Sequence, residues 1–191
     1  MNIKNEIQAL LQKFQDGYIH RNVSRLSEFM ELFHPECEII GTAGANPGVG
    51  EWYLNRDTAR SIFHGNWKDW GDLRIDISKV TVKVQGEVGW MSFPGTVTME
   101  IGEDNYEEFF EVIKEIIAAP NIDAKQKLLD ILRGGTNTVF ELNRGSKFIW
   151  PIRITAVVAK YAERLVFTQM AFSFSTTRFP DERIIDGKVI E

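Results

Sequence analysis

Soft metal ligands are scarce in this sequence: there is one cysteine, Cys37, and there are three histidines, His20, His34 and His64. A single thiol rules out an internal disulfide and a cysteine zinc cluster, and it suits a reducing compartment. The histidines are too scattered to form ligand pairs at i, i+4, so no metal site is expected, and no cofactor motif takes its place. Cys37, flanked by Glu36 and Glu38 with no Lys or Arg beside it to favour a thiolate, reads as a small buried residue, not as a nucleophile. Long apolar runs are missing too. None approaches the roughly 20 residues that span a bilayer, and the opening MNIKNEIQALL has no signal-peptide apolar region. The expectation is a cytoplasmic protein with no membrane partner. Positive charge is in deficit, with 22 Lys and Arg against 27 Asp and Glu and a net charge of −5. That argues against nucleic acid as a partner, because counterion release needs clustered cations. Gly41, Gly44, Gly48 and Gly50 crowd one loop, but without a Gly-Lys-Ser/Thr ending or Gly-x-Gly-x-x-Gly spacing they do not make a phosphate loop.

What is present is the composition of an ordinary globular protein, 43% apolar and 26% charged over 191 residues. A chain of this size fits one α+β domain over 1–191, burying roughly 70% of its unfolded surface. Ile3, Ile7, Leu10, Leu11, Phe14 and Tyr18 share a helical face, so a first helix is expected from about Ile3 to His20, weakened near its end by Gly17. Asn22 or Ser24 can cap a second helix, with Leu26, Phe29, Met30 and Phe33 as its stripe and Pro35 as its stop. Cys37 to Thr42 reads as a short strand. Leu73 to Val84 alternates in two runs whose phase slips at Ser78 and Lys79, as in a bulged strand, and Glu87 to Ile101 returns after the Gln85-Gly86 turn. That strand puts Trp90 on one face and Met91 and Phe93 on the other. Helical spacing resumes at Tyr106, Phe109, Phe110, Ile113, Ile116 and Ile117. After Pro120, Asp123 caps a further helix carrying Leu128, Leu129 and Leu132 to about Asn143. The region from Glu103 to Arg133 holds eight acidic against four basic side chains, which reads as a solvated face. Two long strands, Phe148 to Tyr161 and Arg164 to Ser175, form a hairpin about Ala162-Glu163, and an irregular tail follows from about 177.

The candidate site centres on Gly41 to Asp72. A Gly/Pro-rich loop leads to Trp52, Asn55 caps a helix starting at Arg56, and Asp57 lies in its positive first turn. Ala59, Ile62, Phe63 and Trp70 recur at helical spacing, with Trp67 and Asp69 on either side of that stripe. A carboxylate beside indoles suggests a pocket mouth, and burial there would raise the Asp69 pKa toward one useful for acid/base work. The interiors of the last two strands contain no Asp, Glu or His. Arg153 is their one permanent charge amid apolar neighbours; facing a cavity, it needs a carboxylate or a bound anion.

A helix ending in Asn-Trp-Lys-Asp-Trp-Gly between two N-terminal helices and long antiparallel strands resembles the nuclear-transport-factor-2-like fold, in its SnoaL-like (polyketide-cyclase-like) branch. The stretches that carry the resemblance are GTAGANPGVGEW, DWGD, the VGW of Val88 to Trp90, the IRIT of Ile152 to Thr155 and the AFS of Ala171 to Ser173. It covers about Met1 to Ile101 and Ser146 to Phe179. The resemblance implies a cone-shaped, curved antiparallel sheet wrapped on the N-terminal helices around a cavity, with Arg153 facing it. About 102–145 is then a helical insertion, lying over one end of the cone as a lid or an interaction surface. Many relatives carry His-x-Ser on the last strand, where this chain has Ala171-Phe172-Ser173, and that removes a polar group from the expected pocket.

The expected pocket is lined by Trp52, Trp67, Asp69, Trp70, Trp90, Arg153, Thr155 and Gln169. Two functions fit it. One is an enzyme, an isomerase, cyclase, dehydratase or hydrolase without metal, with Asp69 as acid or base and Arg153 holding an oxyanion on a small, partly apolar carbonyl or hydroxylated compound. The other is a non-catalytic ligand-binding or assembly module. Both alternating sets of Phe148 to Tyr161 are largely apolar, and the final strand sets Val166, Met170, Phe172 and Phe174 opposite Leu165, Phe167 and Ala171. The outer sheet face is therefore expected to be covered by a second copy in a homodimer.

Overall fold

The computed structural model describes residues 3–100, 105–142 and 147–174. Among them are five helices and a curved, unclosed sheet of seven strands. They fall into two compact units, 3–98 with 149–174, and 99–148.

In the first unit, α1 (Ile3–His20) buries Ile7, Leu10, Leu11, Phe14, Gln15 and Tyr18. Asn22 caps, but it caps a single 3₁₀ turn, Val23–Arg25, which runs into the short α2 (Leu26–Met30). Phe33 does not extend α2. It opens β1 (Phe33–Ile40), seven residues before the end of that strand. Pro35 therefore sits inside a strand rather than ending a helix, and the ladder to the neighbouring strand breaks its register between Phe33 and Glu38, around the residue that has no N–H to offer. The short β2 (Trp52–Tyr53) pairs antiparallel with β1. Next comes α3 (Arg56–Asp69), started by Asn55, whose side chain accepts from the Thr58 N–H at 2.9 Å.

The expected bulge near Ser78 is a corner. β3 (Asp72–Ile75) ends in a 3₁₀ turn, Ile77–Lys79, capped by Asp76, and β4 (Thr81–Gln85) leaves it. β3 and β4 then pair with two different stretches of β5 (Val88–Glu100). As expected, Met91 and Phe93 are buried while Trp90 is exposed. β6 (Lys147–Tyr161) and β7 (Arg164–Phe174) form the hairpin, turned by Ala162 and Glu163 at φ +46° and +65°. These are the left-handed angles that a two-residue turn between right-twisting strands demands. The strand order is β2-β1-β7-β6-β5-β3, with β4 off this path on β5.

β7 departs from plain alternation. Val158 pairs with Phe167 and Val157 with Gln169, so Thr168 is an extra residue, and its hydroxyl donates to the Val157 carbonyl. One extra residue reverses the phase. Phe167 thus joins Met170 and Phe172 on the inner face with Ile152, Ile154, Ala156 and Val158, instead of opposing them. Helices α1 and α3 cover that face, and aromatic rings fill the space between: Phe14, Tyr18, Phe29, Phe33, Phe63 and Phe167 are all buried and in mutual contact.

Cys37 lies in this core, as its sequence context suggests, and burial pushes its thiol up to about 11 from 9.0. A raised folded-state pKa means that its stabilising contribution is whole below the unfolded value and is lost as pH climbs to the folded one. Stability should therefore fall between pH 9 and 11, and Cys37→Ala should flatten that decline in urea titrations run across the range. An identical alkaline slope in the variant would assign the loss to other groups. Buried Tyr18, whose phenol burial also raises, acts at higher pH still.

The second unit is a helical hairpin, α4 (Asn105–Ala118) and α5 (Ala124–Leu142), the latter capped by Asp123 accepting from the Gln126 N–H. The expected helical segment is thus present. The tail from 177 lies outside the described residues.

Candidate functional site

The expected pocket residues whose side chains are described fall on two sides of the sheet. Trp52 shares the outer sheet face with Ile40 through the β1–β2 register, and its Nε1–H donates to Glu38 Oε1 at 2.7 Å. The other Glu38 oxygen accepts from Gln169 Nε2 at 2.5 Å. Thr155, Arg153 and Trp90 also lie on this outer face, and all three are exposed. The Arg153 guanidinium donates to the Phe174 carbonyl at 3.1 Å and has no carboxylate partner among the described residues. Strict alternation along β6 explains its place. Ile152 and Ile154 occupy the inner face, so Arg153 turns outward, away from any interior cavity.

Trp67 is on the other side, buried at 6% exposure in the aromatic cluster, 4.8 Å from the Phe29 ring, with its Nε1–H unpartnered among the described residues. Trp70 caps the end of α3 and packs against the core edge. Asp69 ends that helix, but its side chain lies outside the described residues. The helix from Arg56 therefore delivers one indole to the core and one to its rim. It does not bring Trp52, on β2, to meet them.

The interior itself is chemically quiet. Its buried polar side chains among the described residues are Gln15 and Thr96. The Tyr18 hydroxyl accepts from Asn66 Nδ2 at 3.0 Å. Gln15 is occupied by backbone, donating to the Leu73 carbonyl and accepting from the Ile75 N–H. No carboxylate or imidazole is buried there among the described side chains.

Open space lies elsewhere. A cleft of about 780 Å³ runs between α1, α2 and the β6–β7 turn, within the range of small-molecule sites. Its floor is Leu10, Phe29, Leu32, Trp67 and Leu165. Gly17 makes that floor possible. A β-carbon there would run into the Phe29 ring and stand 3.1 Å from the Trp67 indole, so the glycine read from sequence as a weak helix end is a close-approach point.

The rim is charged. Glu6, Asp16, Glu28, Glu31 and Glu163 face Lys13, Arg25 and Arg164. Most are tied. Arg25 pairs with Glu28 at 2.7 Å, and Glu31 pairs with Arg164 at 2.6 Å and with Arg56 at 2.9 Å. The hydrogen bond from Arg164, reinforced by Arg56, holds the Glu31 carboxyl below the ordinary range, and Arg25 does the same for Glu28. Glu6 takes the ammonium of Lys160. Left without an ion partner among the described residues are Asp16, Glu163 and Lys13, an acidic excess. Sequence reasoning missed this cleft, though Glu6, Leu10, Lys13, Gly17 and His20 recur at 3–4 residue spacing along α1, beside the buried stripe. No group of three or more His, Cys, Asp or Glu side chains suited to a metal occurs among the described residues, and no helix of theirs is long and apolar enough to cross a membrane.

An aromatic-filled curved sheet on N-terminal helices matches a known arrangement, and residues 7–112, more than half of the chain, match the sequence profile of the SnoaL-like domain. The chain belongs to the SnoaL-like family. Its members include ligand-binding proteins and small-molecule enzymes. No curated protein matches. Among solved structures, the SnoaL-like chain is similar to an NTF2-like protein of unknown function from Pseudomonas putida KT2440, at 9% identity, TM-score 0.56, and 96% and 94% coverage of the two chains. It is also similar to a Xanthomonas campestris protein provisionally named a calcium/calmodulin-dependent protein kinase II association domain, at 13% identity, 88% and 85% coverage and TM-score 0.53. A third is a Novosphingobium aromaticivorans protein provisionally named a scytalone dehydratase, at 10% identity, 98% and 99% coverage and TM-score 0.53. At these identities the likeness is one of fold.

Proposed function

We propose that this SnoaL-like chain is a non-catalytic ligand-binding module, and that its ligand, a small partly apolar molecule carrying a cationic group, sits in the cleft between α1, α2 and the β6–β7 turn. One observation carries this reading: the inner face of the sheet, where acid/base chemistry would have to occur, is packed with aromatic rings, while a cleft among the described residues has an apolar floor and a charged rim. The acidic excess of Asp16 and Glu163 over Lys13 favours a cation. The enzymatic reading needs Asp69 and Arg153 about one substrate, and Arg153 on the outer sheet face is poorly placed for it. Tryptamine, an aromatic ring with an ammonium, is a suitable probe. Calorimetric titration should give saturable binding that Glu163→Lys weakens by roughly tenfold, about the worth of one charge-assisted contact. Equal affinity in wild type and variant would remove the cleft from consideration.

A second reading, homodimerisation through the outer sheet face, is supported by Trp90 and Val88, 43% and 42% exposed on β5, beside half-buried Val157, Ala159 and Ala171. Exposed apolar groups clustered on one face are common where proteins associate. Trp90→Glu should then lower the mass measured by light scattering at micromolar concentration, and an unchanged mass would count against a sheet-face dimer.

A further inference from the structure

We propose that the α4–α5 hairpin is a self-association surface, pairing with the same hairpin of a second copy so that α4 of one copy lies along α5 of the other. The hairpin has two apolar sides. One is used internally: Phe109 packs on Gly134 and Gly135, where an added β-carbon at Gly134 would stand 2.6 Å from the ring. Lys127 Nζ donates to the Ile117 carbonyl at 2.6 Å. The start of α4 thus adjoins the end of α5, and the helices run antiparallel.

The other side is exposed among the described residues. Tyr106, Phe110 and Ile117 on α4, and Leu128, Leu132 and Val139 on α5, are 38% to 65% exposed. With half-buried Ile113 and Gly135 as third positions, at the border with the internal side, both stripes follow the 4-3-4 spacing of a helix-packing seam. At about 100° per residue, each stripe lies roughly a quarter-turn from the side that faces the other helix. Because the helices are antiparallel, both stripes turn the same way and form one flat apolar face.

Charge selects the partner and the orientation. α4 carries Glu107, Glu108, Glu111 and Glu115 against Lys114, and α5 carries Lys125, Lys127 and Arg133 against Asp130 and Glu141, so α4 is net acidic and α5 net basic. Glu107, Glu108 and Glu115, like Lys125 and Arg133, have no ion partner among the described residues. An acidic helix beside a basic one is complementary to itself under a twofold axis parallel to the helices. That operation sets α4 on the partner's α5, antiparallel, with Glu107 near the height of the partner's Arg133. A perpendicular axis would stack acidic on acidic and basic on basic.

Sedimentation equilibrium on the full chain tests it. Leu132→Glu and Phe110→Glu change exposed positions, so circular dichroism should keep its helical signal while association weakens by roughly a hundredfold, as burying an unpaired charge demands. Glu107→Lys and Arg133→Glu should each weaken association, and the chain carrying both should recover it. If the sheet face also pairs copies, Leu132→Glu halves the mass of the assembly and Trp90→Glu leaves the hairpin contact intact. A wild-type monomer at 100 μM (about tenfold above a typical weak homodimer's Kd), a Leu132→Glu chain of unchanged mass, or a double charge variant no better than the single ones overturns the proposal.

Discussion

Phe14→Ala is expected to cost about 3–5 kcal/mol of unfolding free energy, the range for deleting a large aromatic from a core that cannot collapse around the gap. The Phe14 ring is fully buried, with neighbouring centroids at 5.2 Å for Tyr18, 5.7 Å for Phe29, 5.8 Å for Phe167, 6.4 Å for Phe33 and 6.5 Å for Phe63. Those partners come from α1, α2, α3, β1 and β7, so one ring ties three helices to the sheet. Urea denaturation measures the loss. A cost below about 1 kcal/mol would mean that the interior is loose enough to hold a ligand after all.

Gln15→Leu is the second large effect, roughly 2–6 kcal/mol despite the apolar replacement being isosteric in bulk. β3 ends the strand path, and the inward amide of Gln15 satisfies its free edge. Gln15 Nε2 donates to the Leu73 carbonyl at 3.1 Å, and Gln15 Oε1 accepts from the Ile75 N–H at 2.6 Å. A leucine leaves both backbone groups buried without partners, at about 1–3 kcal/mol each. Amide exchange at Ile75 should accelerate in the variant. Protection at the wild-type level would show that another group had taken over the edge.

Much of this architecture is written in local pattern. The 3.6-residue stripe of α1, the Asn55 cap, the split faces of Trp90 and Met91, and the Ala162-Glu163 turn all depend on residues close in sequence, and the structure carries them as read. Long-range pairing decides the features that sequence misplaces. Phe33 fits the stripe of α2, yet its partner Phe167 lies 134 positions away and draws it into a strand. The extra residue at Thr168 is invisible because Leu165 to Phe174 has apolar residues on both phases, so only the ladder to β6 reveals which phase faces in.

The candidate site was less legible for the same reason. Trp52, Arg153, Thr155 and Gln169 are polar or aromatic residues on well-marked strands, but which face of the sheet meets the helices is not local information. Arg153 amid isoleucines reads as a buried charge until alternation places it outside. Glu163, Arg164 and Glu31 join one rim only because the hairpin turn folds back beside α2. Arg21, with φ +46°, shows the same limit. It donates to the Trp70 and Gly71 carbonyls and to Asp72, pinning the end of α1 to the link between α3 and β3, a role no spacing announces.

The location of the ligand space is the claim on which the functional account stands, and methyl-resolved NMR during a tryptamine titration addresses it directly. The account predicts saturable shifts in the Leu10, Leu32 and Leu165 methyls that line the cleft, with Ile39, Ile154 and Val97 on the inner sheet face unmoved. Shifts confined to Ile39, Ile154 and Val97, or no shift anywhere at millimolar probe, would contradict it.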